Sequence, residues 1–301
     1  MIRFFLTMLA VLCSSTAIAS ETVYVVYPWH LGDPMANYSR TLIEQANHTQ
    51  SKYLFVLDNK PGAGGAIGAK YVAAHQNTIL AGSTAFFVRP NVYPNDSHNI
   101  NEFRVLMTQC SVPMVVSSSK YKSWNDVPTD APINIGVSGL GATTHLISLE
   151  IKRRYPLTQP VPYKSTKDST LDLAGQRIDL NVGFPGEIDQ WVTQGKLYVL
   201  GTTGKKIIPG MNIPTLESQG FSGLGRMSNG HSLIVSKKVD PAKFAEWRQI
   251  LAQASLHRTV QQSYESDFCD AMNYDMAQTQ KWYDGQVKLW KELSSTVKLD
   301  Q

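Results

Sequence analysis

The stretch Y-L-F-V-L-D-N-K-P-G-A-G-G-A-I-G-A-K, residues 53–70, constrains the fold of this chain more than any other. Residues 53–57 are consecutive β-favouring side chains, as in a strand buried on both faces, and Pro61-Gly62 cannot extend a ladder. Gly62, Gly64 and Gly65 permit a turn where a Cβ would clash. From Ala66 onward the spacing of Ile67, Tyr71, Val72 and Ala74 predicts a helix. Some strand–turn–helix units cradle phosphate, but neither nucleotide motif fits here. The dinucleotide fingerprint needs glycine where the chain has Ile67, and a P-loop needs Ser or Thr after its lysine, whereas Tyr71 follows Lys70.

The same alternation recurs along the chain. Residues 23–27 predict a strand; Asp33 then suits an N-cap and Pro34 the first helical position, ahead of an apolar stripe at Met35, Tyr38, Leu42 and Ala46. A strand at 78–82 and a long apolar strand at 104–117 follow. A second series has a strand at 133–138, a glycine turn at 139–142 and a helix at 143–154. Ser165 and Asp168 form a capping box for a helix that Gly175 ends, before a strand at 178–182, a helix at 187–194 and a strand at 197–203. Past Gly220, Gly223 and Gly225, an apolar strand at 232–236 leads into two helices. One carries Phe244, Trp247, Ile250, Leu251 and Ala254; the other carries Met276, Tyr283, Val287 and Trp290. These stripes read as core, and the pattern predicts two α/β lobes.

Arg3, the apolar run 4–13 and Ala17-Ile18-Ala19 have the layout of a signal peptide, so residues 1–19 read as a cleaved leader and the product as periplasmic. No later segment approaches the roughly 20 apolar residues of a membrane helix. The formal charge is +4, with basic residues spread along the chain rather than clustered, so no nucleic-acid partner is expected. Lys152-Arg153-Arg154, the densest basic run, ends a predicted helix, where positive charge complements the macrodipole. The seven histidines are scattered, without H-x-x-x-H or paired C-x-x-C spacing, and no metal or other cofactor is expected. Cys110 and Cys269 remain after the leader. An oxidising compartment permits a disulfide between them, while their distance in the fold stays open.

A family resemblance covers nearly the whole mature chain in order. D-N-K-P-G-A-G-G-A-I-G-A resembles the E-N-R-P-G-A-G-G-x-I-G segment of substrate-binding proteins of tripartite tricarboxylate transporters, the TctC/Bug type. Pro28-Trp29 with Gly32 and Pro34 is similar to the family's P-F-x-x-G-G-P loop, and Asn91-Val92-Tyr93-Pro94 to its N-P-x-L-Y-P segment. Residues 136–146, G-V-S-G-L-G-A-T-T-H-L, resemble G-S-x-G-x-G-S-T-x-H-L, and Val161-Pro162-Tyr163-Lys164 matches the V-P-Y-K element. Asp179-Leu180, Gly195-Lys196-Leu197 and Ile213-Pro214-Thr215-Leu216 echo three further segments. The resemblance implies a two-lobed periplasmic-binding-protein fold (type II, Venus flytrap) with two mixed, mostly parallel sheets flanked by helices. Crossovers are implied near Gln109 and Asn229, giving one lobe from 20–109 with 230–301 and another from 110–229. A monomeric receptor is implied as well, one that captures a small, usually carboxylated molecule and delivers it to membrane transporter subunits.

Binding residues follow from loops that run into helix N-termini, whose free N–H groups suit a carboxylate. On the second lobe these are Ser138, Gly141, Ala142 and Thr143, then Tyr163 and Lys164; Thr143 also suits a plain helix start, and Lys164 suits solvent equally well. On the first lobe they are Trp29, His30, Leu31, Gly32 and Asp33, with Ser83 and Thr84. Here the chain departs from its family: Asp33 replaces a glycine, Ala36 an aspartate, and Gly183-Phe184 a D-N pair. If Asp33 caps its own helix, it occupies the N–H groups a carboxylate needs and opposes an anion. A ligand with at most one negative charge on that side, aromatic or carrying an amine, is then expected, with Trp29 and Phe184 offering rings. Two other functions compete. A hydrolase elbow needs glycine where Leu140 stands, leaving only a distant His231, Ser232 and Asp240 set, and a sensor or scaffold on the same fold is the third reading.

Overall fold

The structure, a computed structural model, describes residues 20–204 and 212–295. The leader, residues 1–19, lies outside the described residues. The first half of the chain runs β1 (Glu21–Tyr27), α1 (Pro34–Thr49), β2 (Tyr53–Asn59), α2 (Ala66–Ala74), β3 (Thr78–Gly82), α3 (Ala85–Val92) and β4 (Phe103–Pro113). There follow β5 (Val115–Ser118), β6 (Ile133–Val137), α4 (Thr143–Arg154), β7 (Thr158–Pro162), α5 (Thr166–Ala174), β8 (Leu180–Gly183), α6 (Pro185–Thr193) and β9 (Tyr198–Thr202). The chain closes with β10 (Ser228–Ser236), α7 (Pro241–Ser255), α8 (Arg258–Glu265), β11 (Asp270–Ala271) and α9 (Met276–Ser295).

Two sheets result, one ordered β11-β4-β10-β3-β1-β2 and the other β7-β6-β8-β5-β9. The apolar run expected as one strand is two strands broken at Met114, and each half belongs to a different sheet. The chain returns to the six-stranded sheet with β10, whose first residue, Ser228, pairs with Pro113. Both sheets are mixed, but parallel pairing is confined to β1 with β2 and β3 and to β6 with β7 and β8. Most strands nevertheless share one direction, as the βαβ pattern leads one to expect: β1, β2, β3 and β4 in the first sheet and β6, β7, β8 and β9 in the second. In the first sheet β10 and the short β11 run against the others, and in the second β5 does, so their pairings are antiparallel.

Period-two alternation decides which helices cover which face. In β1, Val23, Val25 and Tyr27 pack with Leu42 of α1, Trp247 and Leu251 of α7, and Val260 and Tyr264 of α8. Val26, Leu80 of β3 and Ile234 of β10 turn the other way, toward Phe87 of α3 and Tyr283 and Trp290 of α9. The two C-terminal helices expected to return to the first lobe do so on opposite faces of its sheet. The short α8 joins them; only Val260 and Tyr264 are buried on it, too few to make a readable stripe. A disulfide joins Cys110 of β4 to Cys269 across 159 residues of sequence, with a Cα–Cα distance of 5.5 Å.

Candidate functional site

Four βα loops converge on the space between the lobes: those after β1, β3, β6 and β8. This is the carboxyl-end position where open α/β sheets bind ligands. A cavity of about 60 Å³ lies there, room for several water molecules. Trp29, Asp33 and Ser83 reach it from the first lobe, and Ser138, Ala142, Thr143 and Phe184 from the second.

The glycine turn holds the Trp29 side of this wall. Gly65 has φ +90, and a Cβ there would sit 3.3 Å from Trp29 Cζ2. Asn59, at the end of β2, donates to the carbonyls of Tyr27 at 2.9 Å and Trp29 at 2.7 Å, which fixes the loop's path.

Asp33 occupies the N-cap position of α1, yet its side chain makes no capping hydrogen bond. The expectation that it caps its own helix is corrected: its Oδ2 accepts from the Tyr27 hydroxyl at 3.3 Å, and its Oδ1 is buried without a partner among the described residues. Burial is the main cause that pushes its pKa up to about 7; the Tyr27 hydrogen bond works the other way. Asp267, just after α8, also lines the cavity, and burial raises its pKa while its pairing with Tyr38 lowers it. A Cβ on Gly186 of α6 would lie 2.8 Å from Asp267 Oδ1, so this carboxylate stands against the opposite lobe. Behind Phe184, Glu187 accepts from Thr166 Oγ1 at 2.7 Å and from the Phe184 N–H at 3.2 Å. Burial, with Asp33 and Asp267 adding to it, pushes Glu187 up to about 8.

The second-lobe wall is made of hydroxyls. Thr144 Oγ1 accepts from the Ser138 N–H at 3.0 Å and lies 2.9 Å from Ser138 Oγ, which folds the loop over the start of α4. Thr143, 4 % exposed, lines the cavity with its Oγ1 buried and unpartnered among the described residues. His231 closes the floor, neutral because burial holds its pKa near 3, with Nδ1 2.8 Å from Met35 Sδ.

Other expected residues stand elsewhere. His30 is exposed, and Leu31 and Gly32 line an outer depression beside the mouth. Thr84 is bound into β10, donating to the Ser228 carbonyl at 3.1 Å and accepting from the Gly230 N–H at 2.7 Å. Gly141 has φ +80 and faces the Tyr93 ring, its N–H donating to His145 Nδ1 at 3.2 Å. Tyr163 turns toward α5, where its hydroxyl donates to Asp172 at 2.8 Å; burial and that carboxylate push it up to about 12. Lys164 is exposed, and Gly183 backs onto Asn181 and Glu187. Tyr27, Tyr38, Asp267, Asn229 and His231 line the cavity without having been foreseen. The strand ends at Tyr27 and Asn229 gave a signal, because such ends carry the loops of a cleft; nothing local marks Tyr38 or Asp267.

Residues 40–299 match the model of the tripartite tricarboxylate transporter family receptor. The chain is 25% identical over 222 residues to a UPF0065 protein in the tcbD-tcbE intergenic region of Pseudomonas sp. strain P51. That alignment covers 69% of this chain and 66% of the relative, just under two thirds of its length. Among solved structures the chain is similar to the periplasmic binding protein BugD, with a TM-score of 0.82, 24% identity, and coverage of 92% of this chain and 97% of that one. It is also similar to Rpa4515 of R. palustris, solved with adipate, with a TM-score of 0.80, 21% identity and the same coverage, 92% and 97%. Both likenesses show the two-lobed fold.

Proposed function

The chain belongs to the tripartite tricarboxylate transporter receptor family, and on that premise we propose that it is an extracytoplasmic solute receptor. It captures a small molecule, carboxylate-bearing or aromatic and zwitterionic, between its lobes and delivers it to the subunits of a tripartite tricarboxylate-type membrane transporter. The observation that carries this reading is the cavity walled from both lobes by βα loops, since hinge closure then buries the ligand. The signal-like residues 1–19 and the disulfide support a periplasmic location.

A receptor binds its solute without changing it. The groups a hydrolase needs are dispersed: Asp240 accepts from the Ala242 N–H at 2.9 Å as the cap of α7, and His231 and Ser232 are neighbours on one strand that point to opposite faces. Native mass spectrometry tests the reading. A receptor retains a solute of unchanged mass, turnover of that solute would make the protein an enzyme, and no thermal shift across a broad metabolite screen would favour a sensor or scaffold.

A further inference from the structure

The cavity is chemically two-sided. On the first-lobe side, Asp33 and Asp267 bring carboxylates to the wall, and Asp33 Oδ1 has no hydrogen-bond donor among the described residues. Around them stand the rings of Tyr27, Trp29, Tyr38 and Phe184. Carboxylates beside aromatic rings suit a cation, which gains from both the charge and the ring quadrupoles. No Lys or Arg lines the cavity among the described residues.

On the second-lobe side the polarity reverses. The twelve-residue helix α4 begins at the wall, with Thr143 at its first position. Its hydroxyl is buried and lacks a partner among the described residues, an unusual state for a polar atom unless a ligand completes it. A helix N-terminus with a free hydroxyl suits a carboxylate.

We propose that the cavity takes a zwitterion, its ammonium seated between Asp33 and Asp267 and its carboxylate held by Thr143 at the start of α4. This rests on the receptor reading and deepens it. A dicarboxylate would place its second anion against Asp33, whereas an ammonium there supplies the donor that Oδ1 lacks. The groups that act on Asp33 are Tyr27 from β1, and Lys167 and Asp168 at the start of α5. Glu187 of α6 is coupled to it, and Arg40 of α1 lies with Lys167 in the outer depression. With its carboxyl held near 7 by burial, Asp33 gives up its proton as an ammonium arrives, so affinity for the zwitterion rises with pH between about 6 and 8.

The test is calorimetry on the mature chain with a matched four-carbon series: 4-aminobutyrate, succinate, butyrate and 1,4-diaminobutane. The zwitterion is expected to bind at least about tenfold tighter than succinate at pH 7.5, and less so at pH 6. Asp33→Asn and, separately, Asp267→Asn should erase that preference, while Thr143→Val should weaken 4-aminobutyrate and butyrate alike. Succinate binding as tightly as 4-aminobutyrate, or a preference unchanged in both aspartate variants, would overturn the inference and leave the receptor reading standing. If none of the four binds, the molecule retained in native mass spectrometry decides. A retained dianion without nitrogen overturns the inference alone, a retained zwitterion upholds it, and the absence of any retained solute removes both readings.

Discussion

Arg89 Nη1 donates to the main-chain carbonyl of Leu140 at 3.0 Å, a bond that runs from α3 on the first lobe to the loop after β6 on the second. The Arg89 side chain is only 7 % exposed; its guanidinium also bonds Asp96 at 3.0 Å and lies 4.9 Å from the centre of the Tyr93 ring. The same Tyr93 ring faces Gly141, where a Cβ would come within 2.8 Å. This cluster forms a contact that opening of the cleft must break.

Arg89→Ala should therefore shift the protein toward the open form. It removes the donor to the Leu140 carbonyl, while Asp96, 70 % exposed and 3.8 Å from Lys70, stays solvated and paired, so the loss in denaturant unfolding should be on the order of 1 kcal/mol. Small-angle scattering should report a larger radius of gyration, and ligand should dissociate faster. Arg89→Lys keeps the charge but loses the planar fork, and should fall between the two. An unchanged scattering profile for Arg89→Ala would remove the latch.

The βα units, the glycine turn, the helix stripes and the loops of the cleft were legible in the sequence because each is written locally, in spacing or in turn residues. Trp29, Asp33, Ser83, Ser138, Ala142, Thr143 and Phe184 all reach the cavity as expected of loop residues at strand ends. What was not legible depends on distant partners. Asp33 looked like a cap, but the Tyr27 hydroxyl takes up one of its oxygens and burial leaves the other without a donor. Tyr163 sits in a family motif, yet Asp172 nine positions along the chain draws it away. Helix α3, the source of Arg89, was hidden by Pro90 within it, since proline reads as a helix breaker. Asp267 enters the wall because distant contacts hold its segment: main-chain bonds to the end of α8, and the disulfide and β11, which fasten it to β4.

That fastening predicts a coupled loss. Strand β11 is just Asp270–Ala271, with Ala271 paired to Cys110 itself, so the covalent bond supplies much of the hold on this segment. Cys110→Ser, or reduction of the native protein, should lower stability by about 2–5 kcal/mol. Because Asp267 lies two positions before Cys269, solute affinity should fall as well. Melting curves and titrations with and without reductant check both, and a drop in stability at constant affinity would separate the disulfide from the cavity wall.

The raised carboxyls predict how stability changes with pH. Burial lifts Asp33 from its ordinary 3.8 to about 7 in the folded state. Between those values the folded chain binds the proton more tightly than the unfolded chain, so this contribution is full below about pH 4 and is lost as pH rises through 7. Glu187, lifted from 4.5 to about 8, acts in the same direction. Asp33→Asn should thus match the parent near pH 4 and exceed it at pH 8 by on the order of 2 kcal/mol, a figure reduced from the full shift because Asp33 is partly exposed. Denaturant midpoints measured from pH 4 to pH 8 give the comparison; curves that stay parallel would mean that Asp33 ionises normally.

Gly64 and Gly65 of the glycine turn face different partners, so substituting each separates support of the Trp29 wall from the lobe contact. A Cβ at position 65 would press on the Trp29 ring at 3.3 Å, and one at position 64 would meet Arg89 Nη1 at 3.0 Å and the Leu140 carbonyl at 3.4 Å. Both residues have positive φ, +90 and +57, so alanine adds backbone strain of about 1 kcal/mol at either. Stability should therefore fall by similar amounts in Gly65→Ala and Gly64→Ala, while the functional effects diverge. Gly65→Ala moves Trp29 and should weaken solute binding with the scattering profile unchanged. Gly64→Ala crowds the Arg89–Leu140 bond and should enlarge the particle, as Arg89→Ala does. Identical binding and scattering in the two variants would mean that the turn acts only as a scaffold, with no separate hold on the ring and the latch.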